Sequence, residues 1–155
     1  MATVRPYEPA DHAAVVDLVL PVQQEEFAIP ITYDDQPDLQ DPLGFFGGRF
    51  WVAVEDGEVI GCVGLLDAGG GLGVVRKMFV SADRRGSGAA DGLLGALVDR
   101  ARADGMTELL LGTTSAYHAA HRFYEKRGFT RVDSDDLPER FPRMAVDSRF
   151  YRLAL

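Results

Sequence analysis

The segment Arg85-Gly-Ser-Gly-Ala-Ala90 carries the clearest chemical signal in the chain. It follows an apolar, β-prone run ending at Val80 and precedes an apolar pattern at helical spacing. A strand that turns through glycines into a helix leaves the N–H groups of the first helical turn unpaired, at the positive end of the helix dipole. That arrangement attracts anions, and Arg84 and Arg85 add full positive charge beside it. Gly86 and Gly88 leave room for backbone to approach phosphate oxygens, Ser87 offers a hydroxyl donor, and Arg85 can pair with phosphate. Ala89 and Ala90 open the helix, and Ala90 keeps its start narrow. The chemistry expected here is the seating of a pyrophosphate.

The elements that must position this turn follow from periodicity. Thr3 to Tyr7 reads as a first strand, and Pro9-Ala10-Asp11 starts a helix with Val15, Leu18 and Val22 on one stripe. The stretch from Glu25 to Gly48 is rich in proline and acid and reads as a long loop with one short helix. Phe50 to Val54 and Glu58 to Ala68 read as strands around an Asp56-Gly57 hairpin turn, and Leu72 to Val80 returns as a third. Gly88 to Ala103 is a helix with Leu93, Leu94, Leu97 and Ala101 inward. Glu108 to Thr114 is a buried strand, Ala116 to Arg127 a helix ended by Gly128, and Phe129 to Val132 and Ser148 to Leu155 are closing strands. This order predicts one α/β domain over 1–155, a mixed sheet with helices on both faces.

A length of 155 residues suffices for one sizeable core, and an apolar fraction of 46% fits a globular fold. The net charge of -8 argues against nucleic-acid or anionic-membrane binding and permits a cationic substrate such as an amine. The single Cys62 lies in an apolar run, reads as an inert core thiol, and fits a reducing compartment. No stretch is long and apolar enough to span a bilayer, and the N-terminus lacks the apolar core of a signal peptide, so a cytoplasmic location is expected. The three histidines and one cysteine show no metal-ligand spacing. The sequence leaves a homodimer open.

Two segments together resemble a known family. Arg85 to Ala90 is similar to the Arg/Gln-x-x-Gly-x-Gly/Ala signature of the GNAT superfamily of acyl-CoA-dependent N-acetyltransferases. Ala119 to Phe129, "AAHRFYEKRGF", resembles that superfamily's second signature, and the two lie in the right order. The resemblance implies a GNAT-like fold with a mostly antiparallel central sheet, and acetyl-CoA as co-substrate. It implies that Met78, Phe79 and Val80 offer backbone groups to the pantetheine arm, one of them polarising the thioester carbonyl. It implies a catalytic role for Tyr124, donating a proton to the departing thiolate. At two places the chain departs from the family pattern. Tyr117 stands where many members carry a pantetheine-contacting asparagine, and Gly73 to Arg76 lacks the glutamate that serves as general base.

The reaction so implied is direct transfer to the primary amine of a small molecule or peptide in a ternary complex. An alkyl ammonium must lose a proton before attack. Glu25, Glu26, Asp34, Asp35, Asp67 and His121 are candidate proton acceptors, and Glu26, Phe27 and His121 are candidate substrate contacts. Thr113 and Thr114 lie where a buried strand would open toward the acyl site, and Arg143, Asp147 and Tyr151 could shape the acceptor pocket. The competing readings are another acyl group, a protein amine, or a non-catalytic CoA-binding or regulatory module.

Overall fold

The computed structural model describes residues 2–155. Seven strands form one sheet: β1 (Thr3–Pro6), β2 (Phe50–Glu55), β3 (Glu58–Gly69), β4 (Leu72–Val80), β5 (Glu108–Thr113), β6 (Thr130–Val132) and β7 (Arg149–Ala154). Their spatial order is β1-β2-β3-β4-β5-β7-β6. Among the described residues only the β4–β5 pairing is parallel; every other pairing is antiparallel. The mixed, mostly antiparallel sheet is the one expected. The insertion of β7 between β5 and β6 lies beyond what periodicity encodes.

Side-chain alternation along the strands builds two cores. Trp51, Ala53, Val63, Leu65, Leu109 and Leu111 point to one face. There they meet Leu93, Leu94, Leu97 and Ala101 of α4 (Ala89–Ala103) and Tyr124 of α5 (His118–Lys126). Phe50, Val52 and Cys62 point to the other face and meet Val15, Leu18 and Val19 of α1 (His12–Pro21). Beyond them, Leu72, Val74 and Leu110 are covered by Leu137, Phe141 and Phe150.

The long acidic segment holds more structure than one helix. After Pro21 the chain widens into a π turn over Val22–Glu26, with the Phe27 N–H donating to the Val22 carbonyl at 3.2 Å. A 3-10 turn at Tyr33–Asp35 precedes two short helices, α2 (Pro37–Gln40) and α3 (Pro42–Phe46). Each opens on a proline, whose missing N–H is harmless at a helix start. Asp41 separates them and accepts from the Gly44 N–H at 3.0 Å. The Asp56-Gly57 turn has φ of 51° and 78°, as a two-residue hairpin with a type I′ turn requires.

Candidate active site

The site begins where the sheet opens. β4 and β5 pair only from Leu72–Glu108 to Val74–Leu110. Beyond that point β5 continues against β7 and β4 continues against β3, so the two strands part. A bulge in β4 steers this divergence. Arg76 pairs with Gly64 and Phe79 with Cys62, so Lys77 and Met78 oppose the single residue Val63. Lys77 takes φ 56°, a left-handed backbone, and its carbonyl accepts from Cys62 Sγ at 3.2 Å. Burial pushes the Cys62 thiol up to about 12, which makes it the inert core group expected.

A trough of about 630 Å³ lies between the glycine turn and α5. Met78, Phe79 and Val80 line it at the inner end, and Arg85 to Gly88 with Ala90 line it at the outer end. Gly86 and Gly88 take φ of 81° and 93°. A Cβ at either would meet no heavy atom within 4 Å, so it is the left-handed backbone, more than crowding, that requires glycine here. Gly88 caps α4 and brings no side-chain hydrogen bond to the N–H groups of the first turn. Ala89 is buried beneath the turn.

Three of the cations around the trough are already engaged. Arg85 makes a two-pronged ion pair with Glu26, which holds that carboxyl below its usual range. Arg127 pairs with Asp91 at 2.5 Å and stacks over Phe123 at 4.1 Å. Arg84 reaches Glu55 at 3.4 Å and Asp83 at 3.1 Å. Phe27 lines the trough beside Tyr117, ring centroids 4.7 Å apart, and Tyr117 in turn faces Phe79 at 6.2 Å. Tyr117 therefore stands as an aromatic wall at the position where the resemblance implied an asparagine.

On the other side of the sheet opening is a smaller chamber of about 90 Å³. Arg76, Lys77, Thr113, Thr114 and Asp147 supply its polar wall, and Ile29, Ile31, Phe141 and Val146 much of its apolar one. Trough and chamber share Met78, Phe79, Tyr117, Ala120 and Tyr124. Tyr124 packs against Phe129 at 5.3 Å and Tyr151 at 6.2 Å, and burial raises its phenol well above the ordinary value. Asp147 sits on the backbone of β5, where a Cβ at Gly112 would collide with its carboxylate. Burial pushes its carboxyl up to about 6, against the pull of Arg76 and Lys77.

None of the three expected substrate contacts lines the chamber. Glu26 faces Arg85 at the trough mouth and does not line the chamber, and Phe27 also lies on the trough side. His121 is 3% exposed and lines neither cavity. Its Nε2 donates to the Thr114 carbonyl at 2.9 Å, and burial lowers its pKa, so it is a neutral tie between α5 and the end of β5. The charged chamber residues that carry no signal in the sequence are Arg76 and Lys77. A strand residue followed by its neighbour should face opposite sides, and nothing in "VVRKMFV" announces the bulge that brings both charges together.

The sheet thus opens after one short parallel pairing, with a glycine turn at a helix start and a half-open chamber meeting at its gap. The chain belongs to the acetyltransferase (GNAT) family, whose profile matches residues 14–129. It is 42% identical over 83 residues to the IAA acetyltransferase of Azospirillum brasilense, covering 52% of this chain and 54% of that protein. It is 38% identical over 87 residues to the N-acetylaspartate synthetase of Danio rerio, covering 56% and 31%. The chain thus matches from about a third to about half of the length of these curated relatives. A GNAT acetyltransferase structure from Staphylococcus aureus Mu50 superposes with a TM-score of 0.95 at 28% identity, over 99% of both chains. Among the described residues no helix is long and apolar enough to cross a membrane.

Proposed function

We propose that this chain transfers an acetyl group from acetyl-CoA to a primary amine, both held at once. The observation that carries the reading is the meeting of trough and chamber at Met78, Phe79, Tyr117, Ala120 and Tyr124. Bound acetyl-CoA would supply a thioester whose carbonyl carbon the amine attacks. The donor groups present suit that ligand: N–H groups without a side-chain cap at the start of α4 for a pyrophosphate, and the β4 backbone freed from β5 for an extended amide-bearing arm.

In this reading Gly86 to Ala90, with Arg84, Arg85 and Arg127, hold the phosphates. Met78 to Val80 align the arm by backbone hydrogen bonds, and an N–H there donates to the thioester oxygen, an interaction typically worth about 3 kcal/mol of barrier. Tyr124 stays protonated in its buried setting and donates its hydroxyl hydrogen to the sulfur as the C–S bond breaks. Asp147, a carboxyl with raised proton affinity inside the chamber, takes the proton that the ammonium must lose. It fills the place of the glutamate missing from β4. The chamber's small volume favours a small amine over a protein surface. The lone buried thiol favours a reducing, cytoplasmic setting.

Thiol release from acetyl-CoA, followed across a panel of small amines and peptides, tests the reading. Amine-dependent release with small amines is expected. CoA binding without turnover on any amine would instead favour a regulatory module.

A further inference from the structure

We infer that the acceptor is a neutral amino acid, its carboxylate held by Arg76 and its ammonium by Asp147. The inference rests on the acetyl-transfer reading above and adds the acceptor's second functional group and the character of its side chain.

The bulge at Lys77 carries the argument. It turns two consecutive cations to one carboxylate, with Lys77 Nζ at 2.9 Å and Arg76 Nε at 3.4 Å from Asp38 Oδ2. The Asp38 side chain is 1% exposed and neither of its oxygens meets hydrogen-bond geometry, so these contacts are ion pairs by distance alone. One carboxylate faces two cations. The shorter contact commits it to Lys77. Arg76 is left with a longer one, and one of its terminal nitrogens donates to Met144 Sδ at 2.7 Å. A thioether is a weak, neutral acceptor for a guanidinium. A carboxylate is stronger and matches the planar fork of the group. Arg76 lines the chamber and is only 13% exposed, so a carboxylate there is shielded from water.

The opposite charge stands in the same chamber. The Asp147 side chain makes no hydrogen bond or ion pair with the described residues. Its place is fixed by the backbone: the Asp147 N–H donates to the Met144 carbonyl at 3.1 Å and the Ser148 N–H to the Thr113 carbonyl at 3.0 Å. The small chamber presents a cation held by the longer of two ion pairs and by the Phe45 ring at 5.3 Å, and an anion without a hydrogen-bond partner, which fits a molecule whose carboxylate and ammonium lie a few bonds apart. The remaining wall of Ile29, Ile31, Phe141 and Val146 suits an apolar side chain. A second carboxylate would have to break the Lys77–Asp38 pair.

The test compares leucine, valine, methionine and phenylalanine, each with its decarboxylated amine, and aspartate, in the acetyl-CoA-dependent thiol-release assay. The wild-type kcat/KM for the best neutral amino acid should exceed that of its decarboxylated amine by about 30-fold or more, and exceed that of aspartate. In Arg76→Met and Arg76→Lys that ratio should fall at least tenfold, further in Arg76→Met. A wild-type ratio near one, a preference for aspartate, or a ratio untouched in a folded Arg76 variant overturns the inference and leaves acetyl transfer standing. No turnover of any compound by protein that binds CoA overturns the acetyl-transfer reading and this inference with it.

Discussion

Arg85 and Glu26 grip each other across the mouth of the trough, each terminal nitrogen of the guanidinium donating to one carboxylate oxygen, the longer contact at 2.8 Å. The arginine expected to meet phosphate is thus held by the residue expected to meet the acceptor. An incoming phosphate must share or displace that carboxylate. Both side chains are about one-third exposed, so the pair is screened and modest in strength. Glu26→Gln should therefore tighten CoA binding by roughly two- to five-fold in a calorimetric titration at low salt, with the gain shrinking at high salt. The acceptor KM should stay put, since Glu26 does not line the chamber.

Gly88 and Gly95 offer the same substitution with opposite signs. Both have open space for a Cβ, but Gly88 sits at φ 93° whereas Gly95 lies inside α4. Gly88→Ala forces a left-handed alanine at the cap, costing about 1–2 kcal/mol, and should weaken CoA binding about tenfold. Gly95→Ala should stabilise the fold by about 0.5–1 kcal/mol in urea titration without changing CoA affinity.

Tyr124→Phe removes a hydroxyl and keeps the ring packed on Phe129 and Tyr151. Thermal stability and CoA affinity should hold, while kcat falls about 10- to 1000-fold, within the usual range for loss of a general acid. A kcat within twofold of wild type would remove Tyr124 from the proton path.

Asp147 ties activity to pH. The carboxylate form accepts the amine's proton, so kcat/KM should fall on the acid side of about pH 6. The stability effect has the opposite sense. The raised pKa means that the folded state holds the proton more tightly than the unfolded chain does, so stability from this group is lost as pH rises through about 6. Asp147→Asn should remove the acid limb near 6, lower kcat/KM strongly, and raise Tm at pH 7.5 by a few degrees, equivalent to about 1–3 kcal/mol. At pH 4 that stabilisation should vanish.

The donor half of the site is written locally in the chain, and the acceptor half is not. Arg85 to Ala90 and Ala119 to Phe129 are contiguous segments whose glycines, cations and aromatic spacing carry their meaning within a few residues. The strand and helix order is legible for the same reason, since alternation and the 3.6-residue stripe are local signals. The chamber is assembled from β4, the end of β5, the turn after α1 and the segment before β7. Arg76 acquires its place through a bulge set by pairing with β3, and Asp147 through close approach to Gly112. Both depend on tertiary contacts that no short window holds. His121 shows the converse: helical spacing put it beside Tyr124, but burial against the Thr114 carbonyl turned it into a tie.

The three-rung parallel pairing of β4 and β5 has a mechanical meaning as well. Among the described residues it is the only ladder that joins β1–β4 to the β5–β7–β6 group, so the backbone weld between the two plates of the sheet is narrow and the shared core beneath them does the rest. An extended ligand arm lying in the gap would bridge the plates as a guest strand. Amide hydrogens of β4 that face the gap should then exchange quickly in the free protein and slowly with CoA present. The melting temperature should rise with CoA concentration, since the bridging ligand binds only the folded sheet.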